Sequence, residues 1–241
     1  MVVEAFFWRG RALAPEEIEK LPNLLLLSGP PSCGKTSLLF QFAFNVAISL
    51  TNSTTSNVFF ICNRHKLDSK PPFLSQGIDG SSDVFNRIQM KYVNGDEDIN
   101  KYFAAFHLYD VLPAAVIIDD FADFFDNRIC QERHCNPRGR DLAMVRSLAL
   151  CHNAITYANQ KGSCKLLLSD TYHGDSPRLH FIYKKWIPSI FTVKEGDEAG
   201  SFTLKDRSSS GTENPDGTKV AKYSIALQYL FLERIVEDQT D

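Results

Sequence analysis

Short, unbroken apolar runs alternate with longer amphipathic stretches through most of the chain. Leu24 to Leu27 are apolar on both faces and too short for a helix, and 57–62, 114–120 and 164–170 are similar short runs, mainly apolar. They predict buried parallel strands. Residues 88–93 differ, because Ile88, Met90 and Tyr92 or Val93 alternate with polar neighbours, which predicts a half-buried strand. Helices are expected from about Ser37 to Ser49 and from Asp96, with its acidic first turn, to Leu112 before Pro113. The clearest helix runs from Asp141 to Gln160, with Leu142, Val145, Leu148, Ala149 and Ile155 on one face and Gly162 beyond its end. Pro71, Pro72, Gly77 and Gly80 mark a long loop. From Ile187 the texture becomes all-β, with "SIFTV", "SFTL" and "KYSIALQYLFL" separated by Gly/Ser/Asp-rich turns. Residues 205–219 read as a mobile hairpin tip. With no repeat and no linker, 1–241 reads as one domain with an N-terminal extension over 1–22. The alternation predicts an α/β fold: a mostly parallel sheet flanked by helices, plus an antiparallel C-terminal β extension.

Composition narrows the function classes. A hydrophobic share of 44% and a charged share of 23% are those of an ordinary globular chain. The net charge of −3 excludes a global basic field, so nucleic-acid contact would need local patches. No apolar run approaches a membrane span, and Glu4 interrupts the apolar stretch that a signal peptide would need. The six cysteines are expected to be reduced thiols of an intracellular protein. On that reading the acceptor sequence Asn52-Ser53-Thr54 is accidental. The aromatic knot Phe6-Phe7-Trp8 is either a docking patch or a cap on the sheet.

Chemistry enters with the stretch between the first strand and the first long helix. Gly29-Pro30-Pro31-Ser32-Cys33-Gly34-Lys35-Thr36, followed by Ser37, matches G-x-x-x-x-G-K-[ST]. The bare pattern should arise by chance in roughly one chain in a hundred of this length. Here it also has a strand before it and a helix after it, as its mechanism demands. Gly29 and Gly34 let backbone N–H groups turn toward phosphate oxygens, Lys35 is placed to reach the β/γ-phosphates, and Thr36 can ligate Mg²⁺. The helix that follows points its positive end at the anion. A second element is Val116-Ile117-Ile118-Asp119, where a carboxylate emerging from a buried strand can hold Mg²⁺ through water while Thr36 holds it directly. ATP and Mg²⁺ are the expected ligands.

The order of these pieces — phosphate loop, strand, acid-ended strand, Arg-bearing segment, long amphipathic helix, apolar strand, basic segment, β-hairpins — resembles the ATPase core of RecA-type recombinases. Within that superfamily it is similar to short, core-only paralogues, the SWIM-associated subunits of Shu-type recombination complexes. "LLLLSGPPSCGKTSLLF", "RIQMKYV" and "AAVIIDD" carry the resemblance, which covers most of residues 21–235. It implies a RecA-like P-loop core, in which a strand lies in sequence between the two phosphate elements. It also implies an ATP-binding accessory factor in double-strand break repair by homologous recombination. The implied setting is nuclear and hetero-oligomeric, with no membrane. The implied partners are a SWIM-type zinc protein, the recombinase filament and, weakly, single-stranded DNA.

The family pattern also predicts where this chain departs from it. Arg64 falls near where the family carries a glutamate base, and Ser169-Asp170 falls where it carries a neutral γ-phosphate sensor. Slow or absent hydrolysis follows, with Asp120 as the candidate substitute base against a plain strand-end acid. Two segments after the acid-ended strand and the next strand, roughly 123–140 and 171–186, are the expected DNA loops. The first carries Arg128, Arg133, Arg138 and Arg140, diluted by Asp123, Asp126 and Glu132. The second carries His173, Arg178, His180, Lys184 and Lys185, with Tyr183 and Trp186 for base stacking. Arg138, Arg140, Arg178, Lys184 and Lys185 are the named contact candidates. Phe40-Gln41-Phe42-Ala43 contains the F-x-x-A pattern by which recombinases bind one another, though core packing is the expected role. Cys130, His134 and Cys135 are near enough to suggest zinc, with Cys151-His152 as a distant pair, but their spacing is irregular and ordinary thiols are expected. Two rivals remain: a small-molecule or nucleoside kinase, with 128–140 as its lid, and a scaffold with a vestigial nucleotide site.

Overall fold

A computed structural model describes residues 2–50, 57–171, 177–207 and 218–238. Among these, ten strands share one sheet: β1 (Leu24–Gly29), β2 (Val58–Cys62), β3 (Leu74–Ser75), β4 (Ile88–Tyr92), β5 (Ala115–Ile118), β6 (Lys165–Thr171), β7 (Ser189–Glu195), β8 (Ser201–Asp206), β9 (Thr218–Ala226) and β10 (Tyr229–Asp238). The α-helices are α1 (Pro15–Glu19), α2 (Lys35–Ser49), α3 (Arg64–Ser69), α4 (Asp96–Ala104), α5 (Asp123–Asp126), α6 (Arg128–Arg133), α7 (Pro137–Asn159) and α8 (Pro177–Trp186). The sheet order is β3-β10-β9-β8-β7-β1-β6-β5-β2-β4. From β7 to β4 every pairing is parallel, and β6 lies between β1 and β5. The pairings β7–β8, β8–β9 and β9–β10 are antiparallel. The fold is α/β, a large and mostly parallel sheet flanked by helices with antiparallel C-terminal strands.

The two sides of the parallel block are sorted by strand alternation. Leu25, Leu27, Phe60, Ile117 and Leu167 pack with Leu38, Leu39, Phe42 and Val46 of α2. Leu26, Ile61, Ile118, Leu166 and Leu168 pack on the other side with α4, α7 and α8. Helix α2 is buried nearly all round because the N-terminal segment covers its outer face. Phe6 meets Phe42 and Phe191, Phe7 meets Tyr223, and Trp8 meets Phe44. Asn45, buried on α2, donates to the carbonyls of Ala5 (2.9 Å) and Phe7 (3.0 Å). The aromatic knot is therefore a cap, and residues 2–22 are continuous with the core. Phe40 stacks on Phe85 and meets Phe60, and Ala43 is fully buried, so the F-x-x-A pattern packs the core.

Several boundaries differ from expectation. Helix α4 stops at Ala104 rather than Leu112, and a 3-10 turn, Phe106–Leu108, follows. Across this junction the Tyr102 ring meets those of Phe103, Phe106 and Tyr109. Helix α7 begins at Pro137, four residues early, because the Asn136 side chain accepts from the Gly139 N–H and Pro137 occupies the first turn. Strand β7, whose pattern matches the antiparallel strands after it, pairs parallel with β1. The two expected DNA loops are largely helical: 123–140 forms α5, α6 and the start of α7, and 177–186 forms α8. Asn52-Ser53-Thr54, His173, the Arg178 side chain and most of the 205–219 tip lie outside the described residues. Among the described residues no helix is long and apolar enough to cross a membrane.

Candidate nucleotide site

The Gly29–Thr36 loop joins β1 to α2 at the C-terminal edge of the parallel strands. A Cβ at Gly29 would lie 2.8 Å from the Val193 Cβ on β7 and 2.9 Å from the Cys33 sulfur. Gly34 adopts φ +81, and a Cβ there would run into the Ile225 side chain on β9. Both glycines are therefore required on steric grounds before any ligand is considered. The loop is tied from outside by Tyr223 of β9, whose hydroxyl donates to the Cys33 carbonyl at 2.7 Å. Beyond it, β10 pairs with β3, and Phe73 just before β3 donates its N–H to Ser37 Oγ at 2.9 Å. The C-terminal ribbon thus folds back over the start of α2.

Helix α2 opens at Gly34 with no side-chain cap and no acid in its first turn. Its leading N–H groups and positive end face the loop. Lys35 is buried and rests its ammonium on the carbonyls of Gly29 (3.3 Å) and Pro30 (2.8 Å). Thr36, one residue on, donates its hydroxyl to Asp119 Oδ2 at 2.8 Å, bringing together residues 83 positions apart. Asp119 stands at the end of β5. Its other oxygen accepts from Ser169 Oγ at 2.7 Å, and Ser169 accepts from the Asp120 N–H at 2.8 Å. Burial, then the neighbouring Asp120 carboxylate, pushes the Asp119 carboxyl above its ordinary range.

Asp120 turns the chain with φ 49, a left-handed conformation that aspartate tolerates. Its carboxylate accepts from Thr171 Oγ1 at 2.7 Å and faces the Lys66 ammonium at 3.5 Å. Lys66, on α3, also pairs with Asp123. Arg64, two residues earlier, points away: it is exposed, pairs with Asp68 at 3.5 Å and lies over the Tyr92 ring. Asp170 is buried on the opposite side of β6 from Ser169, with the Tyr183 phenol beside it at a geometry short of a hydrogen bond. Its carboxyl is pushed up to about 7, by burial first and then by Asp120, against the pull of Lys35.

No protein-family model matches the sequence, and no curated protein is significantly similar to it. The geometry speaks for itself.

Backbone donors, an ammonium, a hydroxyl and a carboxylate converge on one edge of the sheet. Thr36 and Asp119 are the oxygen donors a hard divalent cation takes, and the α2 N-terminus with Lys35 suits a phosphate. The residues fit a phosphate–Mg²⁺ pair. Pro30, Pro31, Ser32 and Cys33 supply the loop, with Ser32 also at positive φ (59), and Ser37 faces Phe73. Sequence reasoning missed two members, Lys66 and Tyr223, and did not foresee the bonds that Ser169 makes. Ser169 links Asp119 to Asp120, Lys66 neutralises Asp120 and Asp123, and Tyr223 clamps the loop. Ser169 was singled out only as part of the Ser169-Asp170 sensor position, not as the link between the two acids.

The basic candidates disperse. Arg138 is exposed in the first turn of α7, while Arg140 lies 3.6 Å from Asp126. Arg128 pairs with Glu132, and Arg133 with Asp96 and Glu97. Lys184 and Lys185 are exposed in the last turn of α8, Lys185 over the Phe181 ring. Tyr183 corrects the sequence reading: the amphipathic helix turns it inward, where it is buried and unavailable for stacking. Trp186 is half-buried against His152.

Proposed function

We propose that the chain is an ATP-binding, RecA-like recombinase paralogue core that acts as an accessory factor in double-strand break repair by homologous recombination. The observation that carries the nucleotide part is the Thr36–Asp119 pair, assembled from distant positions beside a buried lysine and an uncapped helix N-terminus. The insertion of β6 between β1 and β5 supports the RecA-like branch, because the loop strand and the acid-ended strand are then not neighbours. The adenine preference, the SWIM-type and recombinase partners, the nuclear setting and the recombination role rest on the sequence resemblance. Weak DNA contact is assigned to the exposed end of α8 at Lys184 and Lys185, with Arg138. The kinase alternative gains nothing from 128–140, where Arg128, Arg133 and Arg140 are engaged in ion pairs rather than arranged as a lid.

Bound nucleotide would be held by the loop N–H groups and Lys35, with Mg²⁺ at Thr36 and Asp119 supplying charge neutralisation. Hydrolysis is proposed to be slow. Arg64 offers no proton acceptor, and Asp120 is already engaged by Thr171 and Lys66. A missing base costs on the order of 10²–10⁴-fold, against typical turnover of about 10 per second. Calorimetric titration with ATP–Mg²⁺ tests the site. Binding is expected for the wild type and weakened about tenfold or more for Lys35→Ala, which loses a charge-assisted contact. Equal affinity in the two proteins refutes the site.

A further inference from the structure

A second cluster of metal-binding side chains lies away from the loop, where α4 meets α6. Asp96 is the first residue of α4. Cys130 on α6 and His134 at its C-cap are four residues apart and so share one helix face. One ligand atom from each of Asp96, Cys130 and His134 lies within 4.8 Å of the other two. Asp96 and Cys130 are buried, at 2% and 0% exposure, and His134 is half-buried. The sequence pointed to Cys135 as the companion of Cys130 and His134, but Cys135 is exposed and its sulfur faces the Glu132 carbonyl. The fold replaces it with a carboxylate from a helix more than thirty positions upstream.

We propose that Asp96, Cys130 and His134 form a site for a borderline-soft divalent cation, zinc foremost. Thiolate, imidazole and carboxylate are the three ligand types zinc accepts, at about 2.0–2.3 Å. A tetrahedral ion holds them roughly 3.5 Å apart, so the side chains need to close by about 1 Å. Hard cations such as Mg²⁺ and Ca²⁺ take oxygen ligands and would not favour the sulfur. The surroundings are those of a ligand shell. Arg133 donates to Asp96 Oδ1 and leaves Oδ2 to the ion, and its other nitrogen goes to Glu97. A hydrogen-bonded ligating carboxylate is the usual outer-shell arrangement. Asn127 caps α6 by accepting from the Cys130 N–H, which fixes the turn that presents the thiol. Among the described residues neither the Cys130 sulfur nor the His134 ring has a hydrogen-bond partner. Burial and Asp96 push the Cys130 thiol up, so the ion displaces its proton on binding. Three protein ligands leave a fourth position for water or for a group from another molecule. The ion ties α6 to α4, and so fixes the segment that follows Asp119 and Asp120.

The test uses the full chain. Wild-type protein loaded with Zn²⁺ and dialysed should retain about one zinc per chain. With Co²⁺ it should show thiolate-to-metal charge-transfer absorption. Cys130→Ser should abolish that band, and His134→Ala should weaken Co²⁺ affinity by more than the roughly 10–100-fold that loss of an outer-shell partner costs. Cys135→Ser should leave both unchanged. Should Cys130→Ser fail to fold, X-ray absorption of the zinc-loaded wild type decides: one sulfur should lie in the ion's coordination shell at about 2.3 Å. Folded wild type that retains no zinc and gives no cobalt–thiolate band overturns the assignment. So does a band that survives Cys130→Ser, or bound zinc with no sulfur in its coordination shell.

Discussion

Lys165 and Lys35 are both almost fully buried, at 2% and 7% exposure, and both rest their ammonium groups on backbone carbonyls. They stand at opposite ends of the same pair of strands, β1 and β6. Lys165, at the start of β6, meets the Glu19 carbonyl at 3.1 Å, the Leu21 carbonyl at 2.7 Å and Asn23 Oδ1 at 2.8 Å. Three donors meet three acceptors, all from one short segment, and the charge is spent on fastening residues 19–23 to the sheet. Lys35 meets two carbonyls of its own loop, with the Cys33 sulfur at 4.0 Å, and Asp170 and Asp119 within its electrostatic reach. Its contacts are local and exchangeable for anionic oxygens. Burial of a lysine is thus no sign of function by itself. What its partners are bonded to decides.

Mutating each lysine should separate stability from binding. Lys165→Met leaves the buried Leu21 carbonyl and the partly buried Glu19 carbonyl without this donor and is expected to lower unfolding free energy by about 3 kcal/mol, read by urea denaturation. Nucleotide affinity of the folded fraction should be unchanged. Lys35→Met should shift stability by less than about 1 kcal/mol. If Lys165→Met alters affinity more than stability, the two ends are not independent.

The pH dependence sharpens the contrast, because buried carboxyls are at the loop end. Asp170 holds its proton more tightly folded than unfolded, so the folded state binds more protons between the ordinary carboxylate range and about 7. Stability from this group is present at low pH and lost as pH rises through that window. Asp170→Asn should therefore stabilise the ligand-free protein at pH 8, by about 2 kcal/mol, and change little at pH 4. Thermal melts at the two pH values check this. Equal shifts at both would remove Asp170 as a titrating group. The smallest effect is expected at Tyr223→Phe, which loses one hydrogen bond to the Cys33 carbonyl. It should cost about 1 kcal/mol, with a few-fold loss of nucleotide affinity because the loop loosens.

What the sequence disclosed was local. The Gly29–Thr36 loop, the acid after Ile118 and the buried strands each lie within a few consecutive residues, where period and spacing carry the signal. What it withheld depends on pairing across the chain. Ser169 and Lys66 reach Asp119 and Asp120 from fifty or more positions away. Lys165 was hidden by the apolar run it begins, since one lysine at a strand start looks like an edge residue. Strand β7 shows the same alternation whether its neighbour is parallel or antiparallel, so only the sheet reveals its partner. Helix α8 carries enough basic residues to resemble a loop, although Ile182 and Tyr183 face inward.

The clamp on the glycine loop has a consequence for how the chain is made. Cys33 and Tyr223 are 190 positions apart. At elongation rates of about 5–20 residues per second, the loop leaves the ribosome roughly 10–40 s before the strand that fastens it. Throughout that interval the nascent chain displays the phosphate motif without Ile225 over Gly34 or the β9 hydroxyl on the Cys33 carbonyl. The proposed grip on nucleotide would be completed only once β9 has emerged. Ligand capture would then report on the emergence of β9, so that a ribosome stalled before residue 223 carries a chain with the motif but without the finished loop.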